Sequence, residues 1–244
     1  MPILGIIASS KSVGGPSDYW GTVDFDGAFS AYKFTETTGS TVADYINSIS
    51  MTGYGGYTLN QTGPGSTADY VNKSISYNGS TGYHQTTGGD RSDYNVAPSG
   101  SWAVECWVKT TTGSLSQIMT VRGGNILCGL YLSLDSANKV TALSTTSTNA
   151  ELRITGTTSV NDGNWHHIVG TAESGGSFYL YVDGVQDAVS ATARSTSTAN
   201  RSIGIASNIA AGVQWLNGNV GAPAFYPEYL DSTQVSNHYT KGKL

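Results

Sequence analysis

The chain has 244 residues, enough for one large β-sandwich with an appendage or for two small domains. Charged residues make up 12% and apolar ones 38%, both below the usual shares, while 10% are aromatic and the net charge is only −5; this is the composition of a folded, turn-rich β protein rather than of a disordered chain. No run of Lys and Arg offers a phosphate-binding surface, which argues against nucleic-acid binding, and no apolar stretch approaches the length of a membrane-spanning helix.

Met1 to Ser10 reads MPILGIIASS. It has a short apolar run with no basic segment before it, and it fits a secretory signal poorly. SSKSVGGPS follows, a flexible composition. Residues 1–22 therefore read as an arm and linker, and 23–244 as the main domain. Leu4, Ile6 and Ile7 form a small apolar cluster in the arm. Burying them returns about 1.5–3 kcal/mol each, against roughly 1–2 kcal/mol for fixing each backbone residue. An ordered arm then needs more than its own side chains, and backbone pairing to a partner chain supplies it. The arm is expected to dock on another protein.

From about Val23 the pattern is one of short alternating strands. Trp102, Val104, Cys106 and Val108 alternate with Ala103, Glu105, Trp107 and Lys109, which is period two with one apolar face. Gly129 to Leu134 places Leu130, Leu132 and Leu134 on one side. Phe178, Leu180 and Val182 alternate with Tyr179, Tyr181 and Asp183. The turns are explicit: Asp183-Gly184 is a two-residue hairpin signal, Glu173 to Ser177 makes a second hairpin loop, and Asn161 to Asn164 precedes a further strand. One helix is predicted, capped by Asp231 or Ser232 and running through Thr233 to Tyr239. Nothing alternates strand with helix, which excludes a parallel α/β fold. Short, regularly spaced strands with such turns predict an all-β, two-sheet antiparallel sandwich.

Catalytic signals are missing. Sandwich glycosidases need two carboxylates flanking one bond, and on a strand residues i and i+2 share a face. Glu36, Glu105, Glu151, Glu173 and Glu228 all lack an acid two or four residues on. Asp24 and Asp26 have that spacing but read as a solvated strand start. No GxSxG, P-loop or GxGxxG motif occurs. His166 and His167 are adjacent, so they point to opposite faces of a strand and cannot chelate one metal in regular geometry; His84 and His238 stand alone. These absences argue against an enzyme. Cys106 and Cys128 are too few for a zinc site and read as two buried free thiols or as one disulfide.

Ser159 to Ala188, SVNDGNWHHIVGTAESGGSFYLYVDGVQDA, resembles the laminin-G-like, concanavalin-A-like jelly-roll family, in which a turn leads into a W-H-H strand and a following strand ends in V-D-G. Here these are Trp165-His166-His167 and Val182-Asp183-Gly184. Trp102 to Thr110 is similar to the family's W-V-K strand. Trp215 to Gly242 is similar to its closing strand and short helix, and Ala31 to Thr41 to its first strand and turn. The resemblance covers about Val23 to Gly242 and implies a jelly roll in which Trp165 packs structurally. Relatives often carry an Asp-Glu pair in the closing strand that helps hold calcium. Gly221 and Ala222 stand there instead, so no cofactor is expected at that place, and Asp44 with backbone oxygens is the remaining calcium candidate.

The arm, MPILGIIASSKS, is similar to the starts of tail and appendage proteins of tailed bacteriophages. Together the two resemblances imply a non-enzymatic virion structural protein on the tail or capsid exterior. The arm would contact other virion proteins in an oligomeric assembly, and the sandwich would face outward, toward a host-surface polysaccharide. Trp107, Tyr179 and Tyr181, opposite their core stripes, are the candidate glycan contacts, beside the plainer reading that they fill a half-covered face. The alternative is a carbohydrate-binding module of a bacterial surface or secreted protein.

Overall fold

The structure, a computed structural model, describes residues 15–89, 92–94, 100–113, 115–123, 126–132, 138–145, 151–191, 201–207 and 214–244. In chain order the elements are α1 (Tyr19–Phe25), β1 (Ser30–Ala31), β2 (Thr41–Val42), β3 (Met51–Tyr54), β4 (Tyr57–Thr62), β5 (Lys73–Asn78), β6 (Tyr83–Thr86), a 3-10 turn (Ser92–Tyr94), β7 (Trp102–Lys109), β8 (Ser116–Gly123), β9 (Ile126–Leu132), β10 (Lys139–Thr145), β11 (Glu151–Ser159), β12 (Trp165–Ala172), β13 (Phe178–Val182), β14 (Val185–Ser190), β15 (Ser202–Ile205), β16 (Asn217–Tyr226) and α2 (Ser232–Gly242). Leu4, Ile6, Ile7 and Leu134 lie outside the described residues.

Two antiparallel sheets pack face to face. The first runs β14-β13-β12-β7-β16-β5-β4, with β1 also paired to β16; the second runs β11-β10-β9-β8-β15-β6-β3-β2. This is the expected sandwich. Strand alternation decides what lies between the sheets. Trp102, Val104, Cys106 and Val108 point inward with Phe178, Leu180 and Val182, and they meet Met51, Ile118, Val121 and Ile203 from the second sheet. The β13–β14 hairpin turns at Asp183 (φ 52°) and Gly184 (φ 78°), two left-handed residues that match strand twist. Cys106 is a buried free thiol whose pKa burial pushes up strongly.

A second apolar cluster lies outside the first sheet, under the two helices. It joins Tyr19, Trp20 and Val23 of α1 to Ala103 and Trp107 of β7, Val169 of β12, Tyr181 of β13 and Val235 of α2. α1 is the element that strand patterning overlooks. Asp18 caps it by accepting the Gly21 N–H at 2.7 Å. Tyr19, Trp20 and Thr22, ahead of Val23, are already packed on the sheet, and Asp24 and Asp26 sit on and just after a helix rather than at a strand start. α2 carries a capping box between Asp231 and Gln234. No helix among the described residues is long and apolar enough to cross a membrane.

Candidate functional site

A cluster of ionisable groups lies on the outer face of the first sheet, sealed beneath the two helices. Glu105, fully buried in the middle of β7, accepts two hydrogen bonds at each oxygen. Tyr226 Oη (2.5 Å) and Tyr19 Oη (3.2 Å) donate to Oε1. His167 Nε2 and His238 Nδ1 each approach Oε2 at 2.9 Å. His238 Nε2 in turn meets Asp26 Oδ2 at 3.0 Å. The network joins α1, α2, β7, β12 and β16.

Burial works against charge here and is overcome. Desolvation pushes the Glu105 carboxyl up, but the His238 charge and the histidine hydrogen bonds hold it far below the ordinary range. Desolvation likewise pulls His238 down, yet Glu105 and Asp26 raise it to about 9. Such perturbed groups often mark active sites, but neither groove described below reaches these. They act as a clamp that holds both helices on the sheet. His238 is thus not isolated, and neither is His84, whose Nδ1 lies 3.0 Å from Tyr77 Oη in the core, where burial lowers its pKa to about 4. His166 and His167 do point to opposite faces: His166 lies between Asp183 (2.8 Å) and Asp162 (3.1 Å).

Trp107, Tyr179 and Tyr181 lie on the outer face of the first sheet, as alternation places them, but two of them are covered. Trp107 is 1% exposed; it stacks on Tyr239 of α2 (5.8 Å, 19°) and lies against His167 (4.9 Å). A Cβ on Gly242 would come within 2.5 Å of its ring. Tyr181 is buried in the same cluster, and Tyr179 is half-buried beside Tyr229 at 5.9 Å. Alternation tells which face a residue takes, not what covers that face, and α2 covers this one. Trp107 and Tyr181 are therefore corrected to packing residues. Trp165 is half-buried against the edge of the cluster.

Open aromatic surface lies elsewhere, on the outer face of the second sheet. Tyr54 ends β3 and Tyr83 begins β6, and the two are cross-strand partners. Their rings stack at 4.8 Å and 17°. Trp215 lies beside the stack, 5.6 Å from Tyr83 and tilted at 50° to it. Tyr54 is 47% exposed, and Tyr83 and Trp215 are half-exposed. Two glycine-bearing turns hold the geometry. A Cβ on Gly55 (φ 68°) would lie 1.9 Å from Thr81 O, and one on Gly82 would lie 1.9 Å from Gly56 O, so only glycine lets these turns meet. Period-two reading of MTGY and YHQT was the available signal for this pair, whereas Trp215 is brought in by a loop.

At the same end of the sandwich, the outer face of the first sheet bears two adjoining polar grooves. One, of about 340 Å³, is lined by Thr58, Ser76, Asn78 and Asn217; the other, of about 220 Å³, by Ser76, Lys109, Thr111, Asn217 and Asn219.

Among the described residues no group of three or more His, Cys, Asp or Glu is arranged to hold a metal ion. Asp44, the calcium candidate, spends its oxygens on donors: Oδ1 accepts the Ala31 and Ile46 N–H groups (3.1 and 2.9 Å), and Oδ2 accepts Ser30 Oγ (3.0 Å). A carboxylate so engaged does not suit a cation that wants several oxygens.

Comparison with known structures agrees with this architecture. The receptor-binding domain of botulinum neurotoxin C/D mosaic serotype has a TM-score of 0.65 at 9% identity, over 88% of this chain and 51% of that one. A related binding domain, of neurotoxin serotype D/C VPI 5993, has a TM-score of 0.62 at 12% identity, over 88% of this chain and 52% of that one. The chain thus spans about half the length of these neurotoxin domains. Domain 4 of AbnA, a GH43 extracellular arabinanase from Geobacillus stearothermophilus solved with arabinotriose, has a TM-score of 0.61 at 16% identity, over 87% of this chain and 98% of that one. No curated protein matches in sequence. The model of the laminin-G-like family of the concanavalin A-like lectin/glucanases superfamily matches residues 78–236, well over half the chain, and the chain belongs to that family.

Proposed function

We propose that this chain is a non-enzymatic carbohydrate-binding module. The solvent-facing aromatic group formed by the stacked pair Tyr54–Tyr83 and the tilted Trp215 beside it carries the reading. A flat aromatic face matches the apolar C–H face of a sugar ring and offers contact area at little conformational cost. The arabinanase domain, held with arabinotriose, supports the same ligand class. The buried state of Glu105 and His238 supports the non-enzymatic reading, because a general acid or base must reach its substrate.

The setting we propose is the exterior of a bacteriophage particle, with Met1 to Lys11 docking the module on other virion proteins. The sequence of the arm supports this. The likeness to one domain of a larger extracellular enzyme favours a second setting, a module of a bacterial surface or secreted protein.

Glycan-array screening followed by calorimetry tests the ligand class. Wild type is expected to bind at least one bacterial surface polysaccharide, and Tyr54→Ala and Trp215→Ala are each expected to weaken that binding about tenfold while staying folded. Absence of binding to any glycan would leave a purely structural role. Co-purification with phage particles separates the two settings.

A further inference from the structure

The outer face of the first sheet carries a feature that neither the clamp nor the aromatic row accounts for. Five strands contribute one cross-strand row: Thr58 pairs with Ser76, Ser76 with Asn219, Asn219 with Lys109, and Lys109 with Trp165. The row spans roughly 19 Å at about 4.8 Å between neighbouring strands. The two polar grooves run along it and share Ser76 and Asn217. Helix α2 covers the next row, at Trp107, and leaves this one open.

Asn78 spends its carboxamide on its own turn, but most other polar groups of the row and its grooves are unspent. The hydroxyls of Thr58, Ser76 and Thr111 and the carboxamide of Asn217 bond to nothing within the described protein, and Asn219 uses only its Nδ2, toward Ser74 at 3.3 Å. Lys109, exposed, is the only charged side chain lining the grooves, and no described carboxylate pairs with it. A cation left unpaired in a protein of net charge −5, among neutral hydroxyls and amides, sets a narrow demand. The ligand should be polyhydroxylated, extended and negatively charged at one point.

We infer that this row is a second glycan site, on the face opposite the aromatic row, and that it takes an anionic polysaccharide segment whose acid group meets Lys109. The inference rests on the carbohydrate reading above but not on the Tyr54–Tyr83–Trp215 surface. The acid group is a carboxylate of a uronic acid or a phosphate of a polyol phosphate chain.

The test uses the full chain and three probes: a pentameric oligogalacturonate, its carboxyl-reduced neutral counterpart, and an oligomer of glycerol phosphate. An anionic probe should bind about threefold more tightly than the neutral one at low salt, the worth of one exposed ion pair. The difference should vanish in high salt and in Lys109→Gln, and survive in Trp215→Ala. Shifts of the Asn217 and Asn219 side-chain amide resonances on titration should locate the ligand. Preference for the glycerol phosphate oligomer keeps the site and makes phosphate its anion. Equal binding of charged and neutral probes, or a preference that survives Lys109→Gln, overturns the inference. Neutral binding lost in Trp215→Ala with no effect at Asn217 and Asn219 overturns it while the carbohydrate reading stands. Silence with every probe and on every glycan overturns both.

Discussion

Glu105 of β7 and His238 of α2, 133 residues apart in the chain, meet at 2.9 Å with both side chains fully buried. Neither is stable alone in that place. An unpaired buried charge costs several kcal/mol, whereas the pair satisfies its own hydrogen bonds. His238→Ala leaves Glu105 with one cation-capable neighbour fewer and frees Asp26. It is expected to cost about 3–5 kcal/mol, or roughly 6–20 °C in Tm for a chain of this size. Denaturant titration at pH 6 checks this; a change below about 1 kcal/mol would show that the clamp holds nothing.

The same pair fixes the pH profile. His238 is raised to about 9 from an unfolded value near 6.5, so its contribution is complete below about pH 6.5 and is lost as pH rises through about 9. Glu105 is lowered, so its contribution is present above about pH 4.5, the ordinary carboxylate value, and fades as pH falls below it. Stability should peak between these limits and fall on both sides. Glu105→Gln removes the charge that holds the His238 proton, and the alkaline loss should then begin at lower pH. Thermal melts from pH 4 to 10 on both proteins measure the shift, and an unmoved alkaline edge would separate His238 from Glu105.

Trp107 and Trp215 should separate stability from binding. Trp107 is enclosed by Tyr239, His167 and Gly242, so Trp107→Ala should cost about 3–5 kcal/mol and leave glycan affinity of the surviving folded protein unchanged. Trp215 is half-exposed at the end of the tyrosine stack. Trp215→Ala should cost about 1 kcal/mol of stability and lower affinity on the outer face of the second sheet about tenfold, the worth of one stacking aromatic. The reverse pattern would return the glycan contact to Trp107.

Gly184 offers a local test of the V-D-G turn. Its φ is 78°, and a Cβ there would sit 3.0 Å from the Tyr239 ring of α2. Gly184→Ala combines left-handed strain with that contact and should cost about 1–2 kcal/mol. Differential scanning calorimetry reads it directly. A neutral result would mean that α2 yields easily at Tyr239, contrary to the clamp.

The sheets were legible in the sequence because alternation is local. Trp102 to Lys109 states its two faces within eight residues, and Asp183-Gly184 states its turn within two. The clamp was not legible, because the partners of Glu105 lie 62, 86, 121 and 133 residues away, and no local pattern announces them. A second acid two residues on would lie along the same strand, whereas the partners of Glu105 come from across the sheet and from the helices. α1 was missed for a related reason. YWGTVDF has Gly and two β-branched residues and little intrinsic helix preference; burial of Tyr19, Trp20 and Val23 makes it a helix, and the Asp18 cap was its only local sign.

The arm carries the last prediction. Among the described residues, the start of the fold is seated by these contacts: Asp18 caps α1, Tyr19 N–H donates to Asp69 O at 3.0 Å, and Lys241 Nζ donates to Pro16 O and to Thr22 Oγ1. Deleting Met1 to Lys11 removes none of these, so the truncated protein should melt within about 1 kcal/mol of the full chain, as a change that leaves the packed contacts in place does. Glycan affinity should be unchanged as well. If Leu4, Ile6 and Ile7 dock on another virion protein, the truncated chain should no longer incorporate into phage particles when supplied in place of the full one. Immunodetection on purified particles reads this. Normal incorporation would remove the docking role from the arm, and a large loss of thermal stability would show that the arm packs on its own domain instead.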